Sequence, residues 1–215
     1  MTLSAALLDA IASAAVREGL ADAVYTRLDT PIGKLLIVQG ERGVVRVGFP
    51  EDPADALLAQ VAGHLGPRIV ASGRELSATR EAVTAYFDGV GERLDVPVDL
   101  SLVRSDFRRA ALSALRAEVG PGHVVTYGAL AAKVGRPKAA RAIGSACATN
   151  PVPIIVPCHR VLPGGGGVGG YGGGPAVKRL LLAHEGAAVG GAKPRSQPAR
   201  TPVSPSERGL DDSRS

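Results

Sequence analysis

Cysteine is scarce in this sequence, which contains only Cys147 and Cys158 among its 215 residues. Two cysteines are too few for a disulfide framework or for a zinc site built from four thiolates. The N-terminus also lacks the basic start of a secretory signal peptide. We therefore expect a cytoplasmic protein in which both thiols are free.

Long apolar runs are missing as well. No stretch of about 18 apolar residues is present, so no membrane span is expected. Apolar residues still make up 45% of the chain, which is enough for a globular core. Residues 1–22 predict an appended helix, although a leader that packs on nothing is an alternative. Their apolar positions are Leu3, Leu7, Leu8, Ile11, Val16 and Leu20.

Acidic side chains become rare in the second half of the chain. Residues 1–100 carry 9 basic and 14 acidic side chains, whereas residues 101–186 carry 11 basic and 3 acidic ones. A polyanion such as nucleic acid should therefore bind the second half. Charge alone leaves open the alternative that the basic surface serves only solubility.

The first half predicts a small α/β domain at residues 23–100. It begins with three strand-like runs, VYTRLD, KLLIVQ and VVRVGF, which are separated by the turn-like sequences TPIG and GERG. This pattern is typical of an antiparallel meander. Residues 53–65 and 74–88 have helical spacing. The polar, proline-containing stretch 89–105 is interpreted as a linker.

The second half, residues 101–186, predicts a mainly helical domain. Asp106 is a candidate cap for one helix and Thr126 for a second, and residues 138–148 form a third after the break at GRP. Short helices joined by a glycine-containing turn are typical of a helix-turn-helix, although an ordinary helical hairpin is an alternative. The predicted fold class is α+β. The basic residues on the third helix are Lys138 and Arg141.

Glycine is concentrated at residues 164–174, where it fills 9 of 11 positions. No Gly-Lys-Ser/Thr follows, which excludes a P-loop. A mobile loop is expected here, followed by a helix that begins at Pro175 and ends at Gly186. The proline-rich residues 187–215 predict a disordered tail.

The stretch IIVPCHRVLP at residues 154–163 reads as a buried strand broken by Pro157 and followed by a thiol, an imidazole and a guanidinium. Cysteine is a nucleophile only as a thiolate, which a neighbouring base can generate. His159 is the candidate base, and Glu185 is the best of the few acids that could orient it. A purely structural Cys-His pair is the alternative. Arg160 has no assigned chemistry beyond anchoring the turn or meeting a phosphate.

The segment RAIGSACATNPVPIIVPCHRV, followed by GGYGGG, a lysine and HEG, resembles the O6-alkylguanine-DNA alkyltransferase family. The resemblance is strong over about residues 107–186 and weaker over 24–100. It implies DNA repair by a suicide methyltransferase, which accepts once the alkyl group from O6 of a flipped-out guanine in double-stranded DNA. O4-alkylthymine is a further candidate substrate. We expect a monomer that binds the minor groove and is nucleoid-associated when bound.

The resemblance also implies roles for individual residues. Cys158 would accept the alkyl group, and His159 and Glu185 would form a relay with it through a water. Asn150 would brace the turn before the active site, and Tyr127 would lie near the guanine and its phosphate. The implied DNA-binding residues are Tyr127, Lys138, Ala140 and Arg141, of which Arg141 would fill the gap left by the flipped base. The implied pocket residues are Val161, Tyr171, Gly172 and Lys178.

The chain departs from the family pattern in three respects. A tryptophan common in the helix after the linker is absent near Ser113, and Gly172 stands where serine or alanine is common. The N-terminal metal-ligand cysteines of some relatives are absent, so neither a metal nor a cofactor is expected. A non-catalytic lesion sensor is the alternative function, although such proteins replace the acceptor cysteine. A helix-turn-helix transcription regulator would leave the thiol site unexplained.

Overall fold

The computed structural model describes residues 5–89 and 94–187. Its α-helices are α1 (Ala5–Arg17), α2 (Ala54–Leu65), α3 (Ser77–Phe87), α4 (Asp106–Glu118), α5 (Tyr127–Lys133), α6 (Ala140–Ala148) and α7 (Gly174–His184). Its strands are β1 (Ala23–Thr30), β2 (Gly33–Gly40), β3 (Gly43–Gly48), β4 (Ile69–Ala71), β5 (Val125–Thr126) and β6 (Val161–Leu162). A 3₁₀ turn covers Cys158–Arg160. This arrangement confirms the α+β class.

The N-terminal sheet has the strand order β3-β2-β1-β4. The pairs β1–β2 and β2–β3 are antiparallel, as the sequence predicted. Gly43 turns the chain into β3 with a φ of 122°, and a Cβ there would lie 2.4 Å from the backbone of Pro97, so glycine is required. β4 pairs parallel with β1. It was not predicted, because three residues are too few to show a strand period.

Alternating residues of β2 divide the core between two faces of the sheet. Leu36 and Val38 pack with Leu57 and Val61 of α2. Leu35 and Ile37 belong to a second cluster on the opposite face, which includes α3 and continues into the C-terminal half as far as α7. The two halves of the chain therefore share one hydrophobic core.

Helix α1 lies within the segment predicted as an appended helix, and Val16 packs against the core as expected, although the fully buried residues of the helix were not among the predicted ones. Its buried residues are the small Ala12 and Ser13, and Ser13 Oγ donates a hydrogen bond to Glu75 at 2.6 Å. Short side chains allow this close approach. The exposed apolar residues of the helix are Leu7 (46%), Leu8 (50%) and Ile11 (52%), and Leu3 lies outside the described residues.

Helices α5 and α6 are the two short helices of the predicted helix-turn-helix, and α4 packs against both. Ser105, rather than Asp106, caps α4, because its hydroxyl accepts from a backbone N–H in the first turn. Thr126 caps α5 as predicted.

Helix α7 carries Pro175 in its first turn, and Gly186 follows it with a φ of 68°, as expected of a glycine that ends a helix.

The strand predicted at residues 154–156 is absent, and the chain forms tight turns there instead. Ile154 has a φ of 73°, which is rare for a β-branched residue. Val156 N donates to the Val152 carbonyl at 2.9 Å and closes the turn. The run is nevertheless buried. The apolar pattern therefore predicted the burial correctly and the backbone conformation wrongly.

Residues 94–105 of the predicted linker have no helix or named strand, yet they are docked on the sheet. Val44 N donates to the Pro97 carbonyl and Asp99 N donates to the Val44 carbonyl, both at 2.9 Å. Residues 90–93 of that stretch and residues 188–215 of the predicted tail lie outside the described residues. Within the described residues, no helix has the length and apolar character needed to cross a membrane.

Candidate active site

Cys158 is the first residue of the 3₁₀ turn and follows Pro157, whose φ of −81° and ψ of 61° direct the chain into the turn. The residue is 4% exposed. Burial raises the pKa of Cys158 to about 11, although a hydrogen bond from Asn150 and the charge of Lys178 oppose the rise. The thiol is therefore protonated at neutral pH and needs a base before it can act as a nucleophile.

The side chain of Asn150 connects the preceding loop to this thiol. Its Nδ2 donates to the Val156 carbonyl at 2.9 Å and to Cys158 Sγ at 3.1 Å. Its Oδ1 accepts from Val152 N at 3.1 Å. One amide thus closes the loop and favours the thiolate, since a donor stabilises the charged form of its acceptor.

His159, Arg160 and Glu185 form a buried charged cluster behind the thiol. His159 Nε2 lies 3.0 Å from Glu185 Oε1. Arg160 binds both carboxylate oxygens, Nη2 to Oε1 at 2.7 Å and Nε to Oε2 at 2.8 Å, and donates to the Val119 carbonyl. Burial raises the pKa of Glu185, but the hydrogen bonds from His159 and Arg160 outweigh it and lower the pKa to about 2. Arg160 thus anchors the turn, and at 4% exposure it does not meet a phosphate.

His159 is arranged as a neutral base. Burial lowers its pKa, although Glu185 opposes this. Nε2 faces Glu185, while Nδ1 is buried and has no hydrogen-bond partner among the described residues. Nδ1 is therefore the nitrogen that remains to accept a proton.

Tyr86 also reaches this cluster, and the sequence did not reveal it. The sequence indicated only that it lies in the helical spacing of residues 74–88, yet its hydroxyl donates to Glu185 Oε1 at 2.8 Å. Burial, followed by the charge of Glu185, raises its pKa well above the usual value, so the phenol stays protonated.

A pocket of about 270 Å³ opens beside Cys158. Burial raises the pKa of Cys147 to about 12, so this second thiol in the wall stays protonated. Burial also raises the pKa of Tyr127, which therefore keeps a proton to donate. Most of the wall is made of small residues, which leave room for a planar ring of the size of a nucleobase. The described lining residues are Tyr127, Gly144, Cys147, Ala148, Cys158, Gly170, Tyr171 and Gly172.

Lys178 holds the glycine loop in place on one side of the pocket. Its buried Nζ donates to the Val161 carbonyl at 2.8 Å and to the Gly170 carbonyl at 3.3 Å. Val161 is buried and is not among the described residues that line the pocket. Its carbonyl instead accepts the hydrogen bond from Lys178. The ring of Tyr171 meets Phe49 edge-on, with centroids 5.5 Å apart. The N-terminal domain therefore supports the wall of the pocket.

The helix-turn-helix places basic residues next to the pocket. Lys138 and Arg141 are exposed, Lys138 in the turn before α6 and Arg141 on the helix, while Ala140 is half-buried. Because residues three to four positions apart share a helix face, Arg141 lies on the same side as the pocket residues Gly144 and Ala148. The basic surface therefore continues into the pocket.

Nothing in residues 5–89 and 94–187 indicates a metal centre, because no group of three or more His, Cys, Asp or Glu side chains is suitably placed.

Comparison with known proteins identifies the family. Two models of 6-O-methylguanine DNA methyltransferase match, the ribonuclease-like domain at residues 23–100 and the DNA binding domain at residues 106–187. A human methylated-DNA–protein-cysteine methyltransferase is 40% identical over 173 residues, which cover 77% of this chain and 81% of the human protein. The chain belongs to the methylated-DNA–protein-cysteine methyltransferase family.

Other members of the methylated-DNA–protein-cysteine methyltransferase family extend the match. The Salmonella typhimurium protein is 37% identical over 163 residues, covering 74% of this chain and 94% of that protein. Among solved structures, Mycobacterium tuberculosis OGT in complex with DNA has a TM-score of 0.65 and 34% identity, covering 76% of this chain and 92% of that one.

Proposed function

We propose that this chain repairs DNA by transferring an alkyl group from O6 of guanine to Cys158, once per molecule. Alkyl transfer from DNA to a protein cysteine is the activity of its family. The observation that supports Cys158 as the acceptor is its position in the wall of a base-sized pocket, next to the buried His159–Glu185–Arg160 cluster. We propose residues 23–100 and 101–186 as the two domains.

The proposed reaction begins with removal of the thiol proton. His159 Nδ1 takes the proton from Cys158 through a water molecule, and Glu185 stabilises the resulting imidazolium. The thiolate attacks the alkyl carbon in line with the C–O6 bond. A C–S bond forms, and the bond between the alkyl carbon and O6 breaks with its electron pair left on the guanine. The guanine anion takes one proton from water, and the His159 imidazolium returns the thiol proton to water. Tyr127, or a backbone N–H of residues 171–173, would supply a hydrogen bond to this leaving group.

The product is a thioether, for which the site offers no release chemistry. The second thiol of the pocket, Cys147, has a pKa raised to about 12 by burial and stays protonated, so it is a poor nucleophile towards the alkyl group on Cys158. The protein should therefore be consumed by one transfer, and its alkylated form should accumulate.

We infer that the DNA substrate binds along the helix-turn-helix as a duplex, through its minor groove, to one protein monomer. O6 of a stacked guanine cannot reach a buried sulfur, so the base has to leave the stack and enter the pocket. In this proposal Arg141 occupies the resulting gap, and Lys138 and Ala140 at the N-terminal end of α6 contact the DNA backbone. The small residues of α6 allow the close approach that this requires.

Replacing Arg141 with alanine tests the proposed DNA interaction. Arg141→Ala should slow alkyl transfer from a duplex by about 10-fold or more, because an extruded base is no longer replaced in the stack. Transfer from free O6-benzylguanine should change by less than about 2-fold, since no base has to be extruded. The single-turnover rates with both substrates give the comparison.

Arg109, whose side chain is 40% exposed and pairs with Asp106 on α4, offers a matched control, and Arg109→Ala should leave both rates unchanged. Equal losses on duplex and free base in Arg141→Ala would contradict the proposed role. Tight lesion binding by the wild type without any transfer would instead favour the sensor alternative.

A further inference from the structure

The Glu185 carboxylate receives a hydrogen bond from the other half of the chain. Its Oε1 is contacted by His159 Nε2 at 3.0 Å and Arg160 Nη2 at 2.7 Å, and also by the Tyr86 hydroxyl at 2.8 Å. Tyr86 lies near the end of α3, 99 positions before Glu185 in the sequence. Three donors thus share one carboxylate oxygen, and one of them belongs to the N-terminal domain.

The position of this hydroxyl is fixed by further contacts between α3 and α7. The Tyr86 ring is 3% exposed and meets the rings of Phe87 and His184 edge-on, with centroids 5.1 Å away in each case. His184 Nε2 also donates to the Tyr86 carbonyl at 2.6 Å. Both the ring and the backbone of Tyr86 are therefore held, so its hydroxyl is a preformed donor.

We propose that Tyr86 is a positioning residue of the alkyl-transfer relay, whose hydroxyl orients Glu185 and keeps His159 in the neutral form that accepts the thiol proton. The inference rests on the proposed function, because it assumes that His159 is the base. It extends that function by giving the N-terminal domain a direct part in the chemistry.

The physical reason is competition for charge on Oε1. A donor to a carboxylate disperses its negative charge, so less of it is available to stabilise a protonated imidazole. The charged and titratable groups around His159 are Glu185 directly after α7, Lys178 on α7, and the adjacent Cys158 and Arg160 in its own turn. Tyr171 of the glycine loop meets its ring edge-on. Of these groups Glu185 favours the imidazolium, while Arg160 and Lys178 oppose it.

Tyr86→Phe removes the hydroxyl while the ring and its contacts remain. Oε1 should then interact more strongly with His159, whose protonated form becomes more stable. The acid limb of the pH–rate profile should move to higher pH by about 0.5 to 1 unit, the size expected for one lost hydrogen bond. The measurement is the single-turnover rate of methyl transfer from a duplex with labelled O6-methylguanine, between about pH 5 and 9, the range in which histidine titrates.

A structural role alone would lower the folded fraction or the plateau rate without moving the limb. Tyr25→Phe makes the same chemical change on β1, away from Glu185, and should keep the wild-type profile. If the acid limb of Tyr86→Phe coincides with that of the wild type, the inference is overturned while the proposed function stands. If the wild type itself transfers no label, the proposed function fails first.

Fluorinated tyrosine, introduced only at position 86, keeps the inference testable should Tyr86→Phe not fold. Fluorine makes the phenol a stronger donor, so the acid limb should move to lower pH, opposite to the phenylalanine variant. A limb that stays in place with the fluorinated residue would also overturn the inference. Titration of the His159 ring by ¹⁵N NMR should show the same directions.

Discussion

At the scale of single residues, the site balances burial against hydrogen bonding. Burial disfavours the thiolate of Cys158, the imidazolium of His159 and the carboxylate of Glu185 alike. Only Glu185 receives enough donors among these three to be charged in the resting protein. In the proposed mechanism a proton leaves Cys158 for His159, and the charges this creates are stabilised by Asn150 at the thiolate and by Glu185 at the imidazolium.

Asn150→Ala should make the thiol of Cys158 less reactive. The lost donor to Sγ destabilises the thiolate, and one hydrogen bond corresponds to about a 5- to 10-fold lower reactivity at neutral pH. The rate of modification of Cys158 by iodoacetamide, followed by mass spectrometry, measures this. Ser145→Ala, which removes an exposed hydroxyl from α6, is the control, and equal rates in the wild type and Asn150→Ala would contradict the account.

At the scale of elements, the active site depends on two irregular segments rather than on a regular strand. The loop before Cys158 is shaped by the positive φ of Ile154 and by the Asn150 amide, and the glycine loop rests on Phe49 and Lys178. Neither is periodic in sequence. The apolar run at 154–156 therefore predicted a strand wrongly, whereas the meander and the Thr126 cap of α5, which follow local rules, were predicted correctly.

The residues of the site also differ in whether the sequence could identify them. Glu185 could be proposed from the sequence, because acids are rare in residues 101–186 and it ends a helix next to the glycine loop. Tyr86 could not, because its hydroxyl acquires a partner only when α3 docks on α7. Contacts between distant elements leave no spacing in the sequence from which they could be inferred.

Gly173→Ala should destabilise the protein where Gly172→Ala does not. A Cβ at Gly173 would lie 2.8 Å from the Phe49 ring, which is buried against Tyr171, whereas one at Gly172 would lie at an ordinary 3.6 Å. Forcing the ring aside should cost about 1 to 3 kcal/mol. Urea unfolding of both variants gives the free energies, and equal stabilities would show that Phe49 does not press on this loop.

At the scale of the whole molecule, the acidic first half of the chain packs against the basic second half and contacts the candidate active site. The shared core extends from the N-terminal sheet to α7, and Tyr86 and Phe49 of the first half contact the relay and the pocket wall. The exposed Lys138 and Arg141 make the proposed DNA-binding surface basic, while the buried Arg160–Glu185 pair lies where the two halves meet. If Glu185 acts in the proposed relay, stability and chemistry depend on the same carboxylate.

Stability should fall in acid because of this carboxylate. The pKa of Glu185 is about 2 in the folded protein and ordinarily 4.5, so the unfolded chain binds the proton first. The stabilisation is complete above pH 4.5 and is lost as the pH falls towards 2, a change of about 3 kcal/mol. The lowered pKa of His159 acts in the same direction below its ordinary value of 6.5.

Urea unfolding at stepped pH measures this dependence. Asp29→Asn removes an exposed carboxylate that pairs with Lys34, and it should keep the wild-type slope between pH 4.5 and 2. A free energy of unfolding that stays constant across that window would show that Glu185 is not held as the anion.

The central claim is that Cys158 accepts the alkyl group, and peptide mass mapping after single turnover tests it most directly. The protein is incubated with an excess of duplex containing O6-methylguanine, digested and analysed by mass spectrometry. The account predicts one methyl group per chain, located on Cys158, and none in Cys158→Ala although that variant still binds DNA. Methylation at Cys147 or elsewhere, or transfer that persists in Cys158→Ala, would contradict it.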